Sequence, residues 1–289
     1  MDFKERLGKF MGKRTLNNYE LEAFQKYLLH EEKSASTIEK YIRDLRAFRI
    51  YTGGKEVSKE VVINYKKNLQ ERGYAVRSIN SMLASLHSFF AFKGWTDCRV
   101  RSIRLQKHMF CSEEKELTKA EYLRILGAAR KNIRLNLAMQ TICATGIRVS
   151  ELQFFTIDMV KKGKVIVQCK GKTRTILIPS KLRKRLLAYG RKEKINGGRI
   201  FQTKRGNPLN RKTIWAEMKS LCKKADVDAN KVFPHNLRKL FARSFYELDR
   251  DIAKLADLLG HSSIETTRIY IMTTDKEHRE KMELLGLVV

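Results

Sequence analysis

Apolar residues fall into four helical stripes over the first hundred positions. Between residues 17 and 31 they stand at Tyr19, Leu21, Phe24, Tyr27 and Leu28, close to the 3–4 spacing of one helix face. Ile38, Tyr41, Ile42, Leu45 and Phe48 repeat the pattern behind Ser36-Thr37-Ile38-Glu39, which reads as a capping box, and Gly53-Gly54 stops the run. Val61, Val62, Tyr65 and Leu69 mark a third helix over 58–71, broken at Gly73. Ile79, Met82, Leu83, Leu86, Phe89 and Phe90 mark a fourth over 76–92. Four amphipathic helices joined by short loops make a small bundle. Residues 96–116 lose the periodicity and carry Arg99, Arg101, Arg104 and Lys107, so this stretch is read as a basic linker.

A second domain opens at the capping box Thr118-Lys119-Ala120-Glu121, dividing the chain into residues 1–110 and 111–289. Helices are predicted over 118–130 and 132–144. Thr145-Gly146-Ile147-Arg148-Val149-Ser150-Glu151-Leu152 is a glycine turn leading into another. The period then changes. Residues 164–169 and 174–179 are β-rich around Lys170-Gly171-Lys172-Thr173, which predicts a hairpin with a basic tip. Helices resume over 180–192, 210–224, 236–248 and 251–259, the last stopping at Leu259-Gly260-His261. A short helix from Ser263 then carries Tyr270. The expected fold class is mainly α with a small antiparallel β-sheet (α+β).

Charge narrows the partners. The 289 residues include 60 Lys and Arg against 31 Asp and Glu, a formal net charge of +29 that solubility alone does not require. With 43% hydrophobic residues the chain folds, so the field points to a folded protein that meets a polyanion, with double-stranded DNA preferred over ribosomal RNA or an acidic membrane surface. No apolar run approaches the ~18 residues of a membrane span, and Met1-Asp2-Phe3-Lys4-Glu5 opens no signal peptide. Cys98, Cys111, Cys143, Cys169 and Cys222 are scattered and form no ligand pair, which reads as reduced thiols in a cytoplasmic, nucleoid-associated protein.

The chemistry concentrates late in the chain. His235 and Arg238, three apart, share one helix face; His261 begins a turn, and Tyr270 follows nine residues later. Imidazole, guanidinium and phenol suit an oxyanion with a nucleophile beside it. Arg148 adds a second guanidinium near a helix N-terminus, where an unpaired cation is electrostatically unfavourable. A bound anion or an ion pair with Glu151 would remove that penalty, and both can hold.

These residues, in this order, resemble the tyrosine recombinase or phage-type integrase family. Thr145 to Leu152 and Leu259-Gly260-His261-Ser262-Ser263-x-x-Thr266-Thr267-x-x-Tyr270 look like its two signature boxes, and the layout is similar to the two-domain Xer type. Lys239 departs from the family, which often has a second histidine there. The resemblance implies a helical core-binding (SAM-like) domain before a catalytic domain. It also implies a site of Arg148, Lys170, His235, Arg238, His261 and Tyr270, working without metal or other cofactor. Tyr270 would attack a DNA phosphodiester and leave a 3′-phosphotyrosyl bond, with His235 as base, since phenols ionise only near pH 10. Arg148, Arg238 and His261 would hold the non-bridging oxygens. A hairpin lysine would protonate the leaving 5′-oxygen; strand alternation does not separate Lys170 from Lys172, and the family pattern favours Lys170. The implied partners are DNA recombination sites and a homo-tetramer on synapsed DNA, monomer or dimer when free, with an accessory directionality factor. A C-terminal tail passed between protomers is expected to join that assembly. Integration or excision of a mobile element is preferred to chromosome or plasmid dimer resolution. Type IB topoisomerase-like relaxation and a non-enzymatic DNA-binding protein stand further off.

Overall fold

The computed structural model describes residues 14–104, 116–169, 172–203, 205–272, 279–280, 282–285 and 287. The chain divides into two compact units, residues 1–107 and 108–289.

In the first unit, α1 (Asn18–His30), α2 (Ala35–Thr52), α3 (Lys59–Glu71) and α4 (Val76–Lys93) form the bundle. Asn17, Ser34 and Ser58 cap the first three by accepting backbone N–H groups of Glu20, Thr37 and Val61. The cap of α2 is therefore Ser34 and not Ser36, because the chain is still extended at Ser34 and already helical at Ala35. Phe24, Leu28, Leu45, Phe48, Val62, Leu83, Leu86 and Phe89 fill a closed core. Tyr19 stays on the surface, two positions off the Leu21–Phe24–Leu28 stripe. The core is not wholly apolar. Buried Asp44 accepts from Lys40 Nζ at 2.7 Å and Ser85 Oγ at 2.8 Å, pinning α2 to α4 through satisfied polar groups. The basic stretch read as a linker begins inside this unit. Cys98 and Val100 are buried, and the Asn80 side chain accepts from Ile103 N–H and donates to its carbonyl, both at 2.9 Å.

The second unit opens with α5 (Lys119–Ala128), whose capping box of Thr118 and Glu121 is fully formed. Helix α6 (Ile133–Thr145) is its centre, burying Leu135, Leu137, Ala138, Met139 and Ile142. A 3₁₀ helix (Val149–Phe154) and α7 (Ile157–Lys161) lead into an antiparallel pair, β1 (Lys164–Cys169) and β2 (Lys172–Leu177). The register runs from Lys164 opposite Leu177 to Cys169 opposite Lys172. The second strand thus starts two residues earlier than its β-rich sequence suggested, because Lys172 and Thr173 pair with Cys169 and Gln168. After α8 (Ser180–Lys192), the segment expected as one helix divides at Leu221 into α9 (Arg211–Ser220) and α10 (Cys222–Ala225). Then come α11 (Pro234–Asp249), α12 (Ile252–Leu259) and α13 (Ile264–Arg268). Among the described residues no helix is long and apolar enough to cross a membrane.

Candidate active site

Helix α11 starts at Pro234, not at Asn236, because proline suits the first helical position where no N–H is needed. That early start places His235 and Arg238 in its first turns. Beside them the chain leaves α6 through Gly146, whose φ of +64° directs its carbonyl to Arg238. A Cβ at Gly146 would stand 2.4 Å from a ring carbon of Phe241, so glycine is required for both backbone conformation and packing. Arg148 follows as the N-cap of the 3₁₀ helix, a tighter element than the α-helix expected there.

Arg148, Ser150, Arg211, His235, Arg238 and Tyr270 line one cavity of about 240 Å³. Tyr270 is buried at 9% exposure and lies just beyond α13, its N–H bonded to Thr267 O rather than inside the helix. Its ring stands edge-on between those of His235 and His261, with centroids 5.1 and 5.0 Å away. The nucleophile candidate is thus seated against its own chain's basic residues. Lys170 lies outside the described residues.

Three guanidiniums share this corner with one carboxylate. Glu151, 2% exposed, accepts from the Arg148 backbone N–H at 2.7 Å, from Arg148 Nη1 at 3.2 Å and from Arg174 Nη2 at 2.5 Å. The ion pair foreseen for Arg148 is thus formed with Glu151, and Arg148 still lines the cavity. At the end of α12 three successive carbonyls each accept from a different arginine. Arg174 Nη1 takes Leu258 O at 2.6 Å, Arg238 Nη2 takes Leu259 O at 2.7 Å and Arg148 Nη2 takes Gly260 O at 3.3 Å. This suits the negative end of a helix, where cations are favoured.

Arg238 is 2% exposed, yet its described hydrogen-bond partners are neutral: two carbonyls, the His261 imidazole and the Tyr270 side chain. Its Nε has no hydrogen-bond partner. Burial, then the neighbouring Arg148, pull its pKa down to about 10. A buried cation without a counter-charge is costly, and an anion in the cavity would relieve it. His261 is pulled to about 4, first by burial and then by Arg238, Arg148 and Arg174. Because guanidinium N–H only donates, Nε2 of His261 must accept from Arg238 at 2.9 Å, leaving Nδ1–H to donate to Thr267 Oγ1 at 2.9 Å. In this structure the His261 ring therefore accepts from Arg238 through Nε2. His235 is exposed at the cavity mouth, and its pKa is lowered by the protein around it and by Lys239, Arg238 and Arg211. A neutral imidazole there can accept a proton.

Sequence reasoning missed Arg174 and Arg211. Arg174 had a legible signal: it alternates with buried Ile176 and Ile178, so a regular strand turns it inward, where a cation demands partners. Arg211 had none, since its approach to His235 depends on how α9 packs.

A cavity walled by arginines, with a tyrosine inside it and a histidine at its mouth, suits the handling of a phosphodiester. Residues 115–277 match the phage integrase family, and residues 21–96 match the phage integrase N-terminal SAM-like domain. The chain belongs to the phage integrase family and is a tyrosine recombinase, an enzyme that breaks and rejoins DNA. It is 32% identical over 288 residues to the tyrosine recombinase XerA of Pyrococcus furiosus, covering 96% of this chain and 98% of that one. It is 28% identical over 274 residues to XerD of Halalkalibacterium halodurans, covering 86% of this chain and 90% of that one. Its fold is similar to that of a lambda integrase tetramer bound to a Holliday junction, with a TM-score of 0.72 at 20% identity, covering 93% of this chain and 80% of that one.

Proposed function

We propose that this recombinase acts as a Xer-type enzyme, resolving DNA joined at a specific site, and that Tyr270 is its nucleophile. The observation that carries the chemistry is the seating of Tyr270 in one cavity with Arg148 and Arg238. The Tyr270 hydroxyl gives its proton to neutral His235 and its oxygen attacks the phosphorus. The bond to the 5′-oxygen breaks as the phosphotyrosyl bond forms, so bond energy is retained and religation needs no ATP. Arg148 and Arg238 neutralise charge building on the non-bridging oxygens. Lys170 is the proposed donor to the leaving 5′-oxygen. His261 keeps Arg238 in place until phosphate arrives. The helical half, residues 1–110, grips the duplex, and the setting is the cytoplasmic nucleoid.

The preference for a mobile element drawn from the sequence gives way here, because the Xer-named relatives match nearly end to end. The proposed working assembly is a homo-tetramer, as in the lambda integrase complex on a Holliday junction. The test is to trap protein–DNA adducts in cells by denaturing lysis and sequence the attached DNA. One chromosomal or plasmid site supports dimer resolution; the two ends of an integrated element would restore the integration reading.

A further inference from the structure

We infer that Arg174 is a positioning residue for the phosphate clamp, holding Glu151 and the Leu258–Gly260 turn so that Arg148 faces the cavity; this rests on the clamp reading above.

Arg174 does not line the cavity, but its two partners, Glu151 and Leu258 O, lie directly beside the groups that hold the cavity arginines Arg148 and Arg238. One Nη donates to Glu151, which also receives Arg148, and the other to Leu258 O, next to the carbonyls held by Arg238 and Arg148. Its stem fills the space under Gly260, where a Cβ would meet Arg174 Cδ at 2.7 Å. A buried ion pair is weak evidence of a stability role, because an apolar side chain of similar size often does as well. What a guanidinium adds is direction. It fixes Oε2 of Glu151, which also accepts the Arg148 backbone N–H at 2.7 Å, leaving Oε1 to make the single contact of 3.2 Å with the Arg148 guanidinium. Without Arg174 the buried carboxylate keeps only the Arg148 backbone N–H as its anchor and can pivot to take the Arg148 guanidinium as a two-pronged pair, drawing its charge off the cavity. Leu258 O would also lose its donor, loosening the turn that begins His261.

Bland stabilisation and clamp positioning differ in one respect: only the second concerns charge on the phosphate. A methylphosphonate at the scissile position lacks one charged oxygen and so has less need of the clamp. Cleavage of nicked duplexes carrying the trapped site, with phosphodiester or methylphosphonate, should therefore be compared for wild type, Arg174→Gln, Arg174→Lys and Arg148→Lys. Duplex affinity and melting temperature are measured alongside. Arg174→Gln should bind the duplex as wild type does and cleave the phosphodiester about tenfold or more slowly, in the range of losing part of one transition-state donor. That deficit should shrink severalfold on methylphosphonate, and Arg174→Lys should fall between. An equal deficit on both substrates, wild-type cleavage, or loss of cooperative melting in both Arg174 variants would each overturn the inference. If Arg148→Lys also cleaves the phosphodiester at the wild-type rate, the clamp reading itself fails; if only the Arg174 variants do, the inference alone fails.

Discussion

Arg238 Nη2 lies 2.9 Å from His261 Nε2, which fixes the histidine as a neutral acceptor with its proton on Nδ1. The arrangement is a consequence of charge. Burial disfavours the charged imidazole, and the three arginines around it make a further positive charge still less favourable.

Acid should therefore weaken the free protein through this residue. The folded-state pKa is depressed from 6.5 to about 4, so the unfolded chain takes up a proton first as pH falls. The contribution is whole above pH 6.5 and is lost progressively towards pH 4; His235 shifts in the same direction. Urea midpoints measured from neutral pH downward should fall for wild type and fall less steeply for His261→Gln. Parallel curves would contradict the assignment.

Arg148→Lys keeps the charge but loses the planar fork that serves Glu151, Gly260 and the cavity together. Cleavage should drop by about a hundredfold or more with duplex affinity nearly unchanged. Equal losses in both would reduce Arg148 to a docking contact.

Much of this site was legible because its residues sit in local patterns. Gly146 before Arg148 and Gly260 before His261 each mark a helix end that a short sequence window reveals, whereas the helix start at Pro234 was placed two residues late. What escaped depends on packing between distant segments. Arg174 meets Leu258 across 84 positions, and Arg238 reaches the His261 ring across 23. Boundaries moved for similar reasons: the second strand lies two residues earlier than expected, where its pairing with the first runs, and the helix expected to carry Tyr270 ends at Arg268.

The hairpin lysine can be separated chemically. A 5′-bridging phosphorothiolate leaves as a thiolate and needs no proton. It should rescue cleavage by Lys170→Ala and not by Arg148→Ala. Rescue of Lys172→Ala instead would move the acid to the first residue of β2.

The C-terminal end carries exposed Leu284, Leu285 and Leu287, a small apolar tip that a neighbouring protomer could bury. Deleting residues 281–289 should spare monomer folding and single-site binding yet abolish the synaptic tetramer and strand exchange. Wild-type recombination by the truncated protein would show that the tail packs in cis or is dispensable.

The central claim is that Tyr270, held between two imidazoles and beside the Arg238 guanidinium, forms the covalent bond to DNA. It is tested most directly by incubating wild type and Tyr270→Phe with a nicked suicide duplex carrying the trapped site and running denaturing gels. Wild type should give a detergent-stable adduct at the 3′-phosphate, and Tyr270→Phe should bind the duplex equally well and give none. An adduct of undiminished yield from Tyr270→Phe would contradict it.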